Sequence, residues 1–460
     1  MTCLKKMKNS YLQKLKKSMC TILLLAMLST AVGAATEVEV KQGVMKPVSV
    51  ALNVHATDSS REDEFYSIVI NDLVGTFLFR EIPRGAFMQV LRGPKKKPTF
   101  PLWKVINAQY LANISLSIDG GTLRLSVVLY DVLSETQVGT LSASGDVREW
   151  RKFAHIVANN IYERVVGEQG YFDTKILYVS VKKNRRHGKT HRIAMMDQDG
   201  HNHSYLTDGQ SLVLTPRFSP TGREFCFFAY KEKVARGRRV PVSAEIYRYN
   251  IGARSVELLA KLNGMPYAPR YSPSGNGLIF SIAQNGASSL YTLDLVTKRL
   301  TRLTKSRCID TSPSYSPDGK QIVFNSDRGG TPQLYIMDED GSNVRRLSFG
   351  NGRYATPVWS PRGDWIAFTK TNRDGFFIGI IHPDGSGERM LATGYLVESP
   401  TWSPNGRVVM YANQDYARKE KIYSVDITGY NKHEIATPGD AVDPEWSSKT
   451  TSSIYSRNSF

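Results

Sequence analysis

Few residues in this chain stand at spacings that could do chemistry. His201-Asn-His203 offers two imidazoles to a metal ion, and Asp338-Glu-Asp-Gly341 resembles the start of a calcium loop without the other oxygen ligands. Both fall where a recurring unit of the chain has an Asp-Gly hairpin, so a solvated turn is the favoured reading of each. Cys226 lies in a β-rich run and Cys308 in a connecting loop two units later, a placement that disfavours a disulfide between them. The sequence contains no GxSxG elbow, HExxH, CxxC or phosphate-binding glycine loop. No catalytic residue, cofactor or metal ligand is therefore assigned. Ser-Pro recurs, but always inside SPxG at one place in the unit, which makes it a turn rather than a modification site. Function is then expected on loops.

The elements carrying those loops come from a repeat. PRFSPTG at Pro216, PRYSPSG at Pro269, PSYSPDG at Pro313, PVWSPRG at Pro357 and PTWSPNG at Pro400 are followed by a worn copy, PEWSSKT, at Pro444. The steps between them are 53, 44, 44, 43 and 44 residues. A self-repeat of this period with several short strands per unit predicts a β-propeller. The long first step reflects an insertion, Lys231 to Ala244, between the second and third strands of its unit. Ile176 to Thr207 reads as the last three strands of a blade, and Pro444 to Ser447 as a first strand without followers. Joined, they make a sixth blade and hide the two open sheet edges. The aromatic before each Ser-Pro (Phe218, Tyr271, Tyr315, Trp359, Trp402, Trp446) is expected to pack between blades.

Ahead of the repeat the chain mixes element types. Residues 1–34 read as a secretory signal: six lysines between Lys5 and Lys17, an apolar run from Met19 to Leu28, and a small-residue cleavage site at Ala31-Val-Gly-Ala34. Loss of those six lysines lowers the formal charge from +18 to +12, and no later stretch is long and apolar enough for a membrane-spanning helix. Residues 35–170 predict an α/β sandwich of one sheet and a helical layer. Its parts are a strand at Val48 to Val54, a helix capped by Ser59 and Glu62 with Phe65, Val69, Leu73, Ile70, Val74 and Phe77 on one stripe, and strand-like runs at Tyr110 to Ile118, Leu123 to Leu129 and Gly139 to Val147. A second helix starts at Asp146 with Glu149, buries Trp150, Phe153, Val157, Ile161 and Val165, and stops at Gly167. The expected organisation is thus α+β followed by all-β: signal 1–34, α/β domain 35–170, six-bladed propeller 171–447 and a tail, 448–460.

The signal peptide, the opening EVEVKQGVMKPVSV (Glu37 to Val50), the segment ANNIYERVVGEQGYFDTKILYVSV (Ala158 to Val181) and the PxWSPxG units together resemble the TolB family, the soluble periplasmic component of the Tol-Pal envelope complex of Gram-negative bacteria. The resemblance covers nearly all of the mature chain. It implies a non-enzymatic periplasmic adaptor that supports outer-membrane integrity and envelope constriction at division. Such proteins bind the peptidoglycan-associated lipoprotein Pal at the propeller funnel and the inner-membrane protein TolA through the mature N-terminus. On matching positions the Pal-facing residues are those just before each unit's proline: Leu214, Thr215, Met265, Tyr267, Ala268, Thr311, Ser312, Ala355, Thr356, Glu398, Ser399, Val442 and Asp443. The TolA-facing residues are Glu37, Val38, Glu39, Val40, Gly43 and Val44. The insertion, the tail and the basic charge depart from the family pattern.

Two basic clusters stand apart from the resemblance. Lys182, Lys183, Arg185, Arg186 and Lys189 lie between the second and third strands of the shared blade, and Lys231, Lys233, Arg236, Arg238 and Arg239 lie at the same place in the next unit. They are expected to form a positive rim toward an acidic partner or anionic cell-wall material, with a solvated pair of loops as the plain alternative; nucleic acid is not an expected partner. A propeller that binds glycan or peptide in its funnel is the alternative function. A peptidase relic ranks third.

Overall fold

The computed structural model describes residues 46–448 and 455–456, except 58, 95, 185–187, 236–237, 263 and 306. The signal segment, its cleavage site and the TolA-facing residues Glu37 to Val44 lie outside the described residues. Everything from Pro47 onward belongs to one compact unit.

The first half of that unit is built on β1 (Val48–Ala56), α1 (Ser59–Val74), β2 (Phe79–Glu81), α2 (Phe100–Val105), β3 (Tyr110–Asp119), β4 (Thr122–Asp131), β5 (Thr136–Asp146) and α3 (Trp150–Val166). Strand β1 pairs in parallel with β2 and β3, while β3, β4 and β5 form an antiparallel meander. A central parallel strand is covered on both faces, which is why VSVALNVHA is buried from Ser49 through Val54 whatever the residue type. Val50, Leu52 and Val54 meet the stripes of α1 and α3 on one side. Ala51 meets Leu91, Trp103 and Leu111 on the other. Buried Asn53 is satisfied by donating to the Leu91 carbonyl at 2.7 Å and to Asn113 Oδ1 at 2.9 Å.

Both long helices occur, with local differences from expectation. Ser59 is the first residue of α1 rather than its cap, and Glu62 reaches back to accept from the Ala56 N–H at 3.3 Å. Phe65, Val69 and Leu73 are buried, but Val74 and Phe77 are exposed, because the helix ends at Val74 and Phe77 sits in a left-handed turn at φ 61°. Asp146 accepts from the Arg148 N–H ahead of α3, and Gly167, at φ 79°, donates to the Glu163 carbonyl and ends it. Strand β2 and helix α2 are additions that the sequence pattern did not single out. Three and six residues are too short to show a period.

The second half is a six-bladed propeller of six four-stranded sheets. The closing blade runs in the order Asp440–Trp446, β6 (Lys175–Asn184), β7 (Gly188–Asp197), β8 (Ser204–Tyr205), so its first strand comes from the far end of the chain. Asp440 pairs with Val181 and Trp446 with Ile176. The insertion is a lengthened hairpin between the second and third strands of blade one, paired out to Ala235 and Arg238. Beyond the closing strand, Tyr455–Ser456 adds to the free edge of β5, giving the tail a place in the first half's sheet.

The aromatics before Ser-Pro join neighbouring blades. Trp402 Nε1 donates to the Val358 carbonyl at 2.9 Å, and Tyr271 Oη to Glu224 Oε1 at 3.3 Å. Trp446 donates to Thr174 Oγ1 at 2.8 Å and meets Tyr171 edge-on at 5.6 Å. Tyr171, Phe172, Ile176 and Trp446 share one cluster with the α1 and α3 stripes, so a single core runs through both halves. The Asp338 and His201 segments are turns: Asn343 donates to Asp338 Oδ2 at 2.6 Å, and Asp197 N–H donates to the His201 carbonyl at 2.8 Å. Cys226 and Cys308 are both free thiols.

Candidate functional site

The residues before each proline are not in loops. The innermost strands start earlier than the PxWSPxG motif suggests, at Leu212–Phe218, Met265–Tyr271, Thr311–Tyr315, Arg353–Trp359, Leu396–Trp402 and Asp440–Trp446. Each slips register by one residue at the same place, for instance between Tyr267, opposite Ser281, and Arg270, opposite Ile279. The extra residue is the one before proline. Thr215, Ala268, Ser312, Thr356, Ser399 and Asp443 all take left-handed backbone, at φ 48°, 54°, 53°, 45°, 55° and 50°. Proline has no N–H to give a ladder and is tolerated in a strand chiefly at such a bulge. For non-glycine residues this conformation costs of order 1–2 kcal/mol each, so a ring of six is sustained by the packing around it.

The six innermost strands touch one another around the propeller axis, so the bulges form a ring in the channel. Side chains link parts of it: Ser399 Oγ donates to Asp443 Oδ1 at 3.0 Å, and the Thr215 N–H to Asp443 Oδ2 at 3.4 Å. Thr311 hydrogen-bonds to Asn325, and Tyr267 Oη donates to Ser288 Oγ at 2.7 Å. Desolvation at the channel mouth, with the Asp443 and Glu420 carboxylates nearby, holds the Glu398 carboxyl above the usual glutamate range.

One position deeper lies a second ring that the sequence reading passed over, formed by the residues after each proline. Arg217 Nε and Arg270 Nη1 each stand 3.6 Å from a Glu445 oxygen, and Thr401 Oγ1 donates to Glu445 Oε2 at 3.2 Å. Burial pulls the Arg270 guanidinium down to about 10. The signal for this ring was present as the variable letter inside PxWSPxG.

In an up-and-down blade, the loop entering each innermost strand and the hairpin between second and third strands share one face. That face carries large apolar groups which the sequence reading also missed, apart from Met265. Met265 is 56% exposed, Phe349 73% and Tyr416 87%. Tyr416 pairs with exposed Tyr395 at 4.9 Å between ring centres, and Arg346 lies 5.1 Å from the Phe349 ring centre. Scattered exposed apolar residues are ordinary; these lie on the entry loops and a hairpin of one face.

The basic clusters meet this same face through the β6–β7 hairpin and the lengthened hairpin of blade one. On the first, Lys183 is already paired with Asp440 Oδ2 at 2.9 Å and donates to the Arg418 carbonyl, while Lys189 stands 3.5 Å from Glu420 Oε1. Arg185, Arg186 and Arg236 lie outside the described residues. For Lys231, Lys233, Arg238 and Arg239 only the backbone course, in the hairpin, is described.

A different charged cluster sits where the two halves meet, on α1, α3 and the turn after β7. His155 is buried, with Nδ1 2.6 Å from Asp72 Oδ2, and Gln198 Nε2 donates to Asp72 Oδ1 at 2.9 Å. Arg151 pairs with Asp199 and Lys175 with Asp197. Burial raises the Asp72 carboxyl against the opposing pull of His155, and the surrounding carboxylates, Asp72 foremost, raise the His155 imidazole in spite of its burial.

Fold and channel together define a propeller protein that carries an α/β domain ahead of its blades and a ring of bulged strands around its axis. Comparison with known proteins gives the particular kind. The family model described as the TolB beta propeller domain matches residues 162–450, and that of the TolB amino-terminal domain matches residues 36–138. The Tol-Pal system protein TolB of Rickettsia felis is 44% identical over 443 residues, spanning 92% of this chain and 98% of that protein. That of Rickettsia prowazekii is 43% identical over 442 residues, with the same coverage. The crystal structure of TolB from Acinetobacter baumannii superimposes with a TM-score of 0.77 at 23% identity, covering 88% of this chain and 97% of that one, a likeness of fold. The chain belongs to the TolB family.

Proposed function

We propose that this protein is a periplasmic component of the Tol-Pal system and works as an adaptor rather than an enzyme. Its relatives are named as Tol-Pal system proteins, and no helix among the described residues is long and apolar enough to cross a membrane. In this reading the channel mouth receives a globular domain of the peptidoglycan-associated lipoprotein, and the segment Glu37 to Val44 engages the inner-membrane protein TolA. The observation that carries the first contact is the mouth itself: a ring of bulged residues surrounded by exposed Met265, Phe349, Tyr395 and Tyr416. Such a surface suits a partner loop inserted along the axis, where a few buried contacts dominate affinity.

Capture of the purified lipoprotein domain tests it. Ala268→Arg places a long cation in the ring and should weaken capture at least tenfold, with the melting temperature little changed. Lys320→Glu, at an 80% exposed side chain beside the SPDG turn on the opposite face, is the control and should leave capture intact. Equal losses from the two variants sink the assignment of the face.

A further inference from the structure

We propose that the junction between the α/β half and the propeller is a binding site for one divalent cation of the zinc type, held by His155, Asp197 and Asp199. One nitrogen or oxygen from each of these three side chains lies within 4.8 Å of the others. His155 comes from α3, Asp197 from the end of β7 and Asp199 from the turn that follows, so the ion would tie the first half to the closing blade.

The second observation is the orientation of the imidazole. Nδ1 faces Asp72 Oδ2 at 2.6 Å, the carboxylate-to-histidine contact that fixes a ligating ring and leaves its other nitrogen as donor. That other nitrogen, Nε2, has no hydrogen-bond partner among the described residues although the side chain is only 3% exposed. It faces Asp199 Oδ2 at 3.6 Å, about the separation of two ligands on one small ion, each roughly 2.0–2.2 Å from zinc. A buried ring nitrogen left without a partner is costly unless something is to be bound there. His201 Nδ1, 3.3 Å from the same Asp199 oxygen, stands at hand as a fourth donor, so the histidine of the turn has a use that its sequence context concealed.

The donor set fixes the class of ion. Imidazole nitrogen with two carboxylates suits zinc and its transition-metal neighbours, whereas calcium and magnesium prefer oxygen alone. Access exists from two sides. A cleft of about 700 Å³ lined by Asp72, Trp150, Arg151, Asp199 and His201 reaches the cluster from one direction. Another of about 370 Å³, lined by His155, Asp173, Lys175, Asp197 and Asn202, reaches it from the other. Arg151 rests on Asp199 Oδ2 itself, and Lys175 and Asn202 Nδ2 rest on the two oxygens of Asp197, so a metal must displace Arg151 and one of the Asp197 partners to be held there.

The test uses the untagged mature chain, stripped with EDTA and titrated with ZnCl2 by calorimetry and with CoCl2 by visible absorption. One equivalent of zinc is expected, with cobalt giving the bands of a four- or five-coordinate nitrogen and oxygen site, and saturating zinc raising the melting temperature by mass action. His155→Gln and Asp197→Asn should each weaken zinc at least tenfold. Asp197→Asn keeps the His155–Asp72 contact and is the guard against simple loosening of the junction: its metal-free melting temperature should stay close to that of the parent while binding is lost. Absence of stoichiometric zinc binding, or variants that bind as the parent does, overturns the site. Calcium or magnesium bound as tightly as zinc overturns the class of metal.

Discussion

The channel mouth concentrates carboxylates, and Glu398 shows how one residue reports this. Its folded carboxyl is held above the unfolded range by desolvation and by Asp443 and Glu420, so ionising it works against the fold. The sign follows directly: the penalty is absent below the unfolded value, grows as pH rises through the folded one, and is complete above it. Glu398→Gln should therefore raise the melting temperature at neutral pH and lose that advantage in acid. A gain that persists undiminished at pH 3 would show that charge at Glu398 is not the cause. By contrast Lys183, paired with Asp440, and Lys189, beside Glu420, are poor anchors for anionic material, because their charge is already answered within the molecule.

At the scale of elements, the lengthened hairpin of blade one is separable from the blade. Pairing between its strands is regular up to Tyr230 opposite Ala244 and shifts only beyond, between Lys231 and Glu232. Replacing residues 231–243 by Asn-Gly should leave the melting temperature within a few degrees of the parent's, since a tight turn restores an ordinary blade. A large fall would mean that the extension holds blade one together. Trp446 is the opposite case. It is buried, hydrogen-bonded to Thr174 and packed on Tyr171, so Trp446→Ala should cost about 3–5 kcal/mol in unfolding experiments. These two elements also show what the sequence could tell. Blade number, closure and insertion were legible because proline and glycine requirements recur with the period of the fold. The first residues of the innermost strands, those before each proline, were read as loops because a left-handed residue there, such as Thr215 or Ala268, interrupts the alternation that marks a strand. Of the junction cluster only His201 stood out in the sequence, and there its turn context favoured a solvated residue. His155 is one of several polar residues along α3, with Arg151, Lys152 and Asn159 close by, and its companions Asp72 and Asp199 lie 83 residues before it and 44 after it.

For the whole molecule, the shared core matters most. Tyr171, Phe172 and Trp446 belong to the same cluster as Phe153 and Phe65, and Asn405 Nδ2 donates to the Gln169 carbonyl at 2.8 Å. Two halves joined through one apolar core should unfold together, so calorimetry of the mature chain is expected to give a single transition. Two resolved transitions would show that the halves are independently stable.

The closing blade has a further consequence, in time rather than in space. Its pairing joins Asp440 to Val181, residues 259 apart in the chain, so one edge of β6 has no partner until almost the whole protein has been made. An unpaired strand edge is a template for adhesion to another chain, and contacts at such separation form slowly. The long-lived intermediate of this protein should therefore be a nearly finished propeller with one open seam. Whatever escorts the chain during synthesis and folding has to shield Lys175 to Asn184 until the last strand arrives.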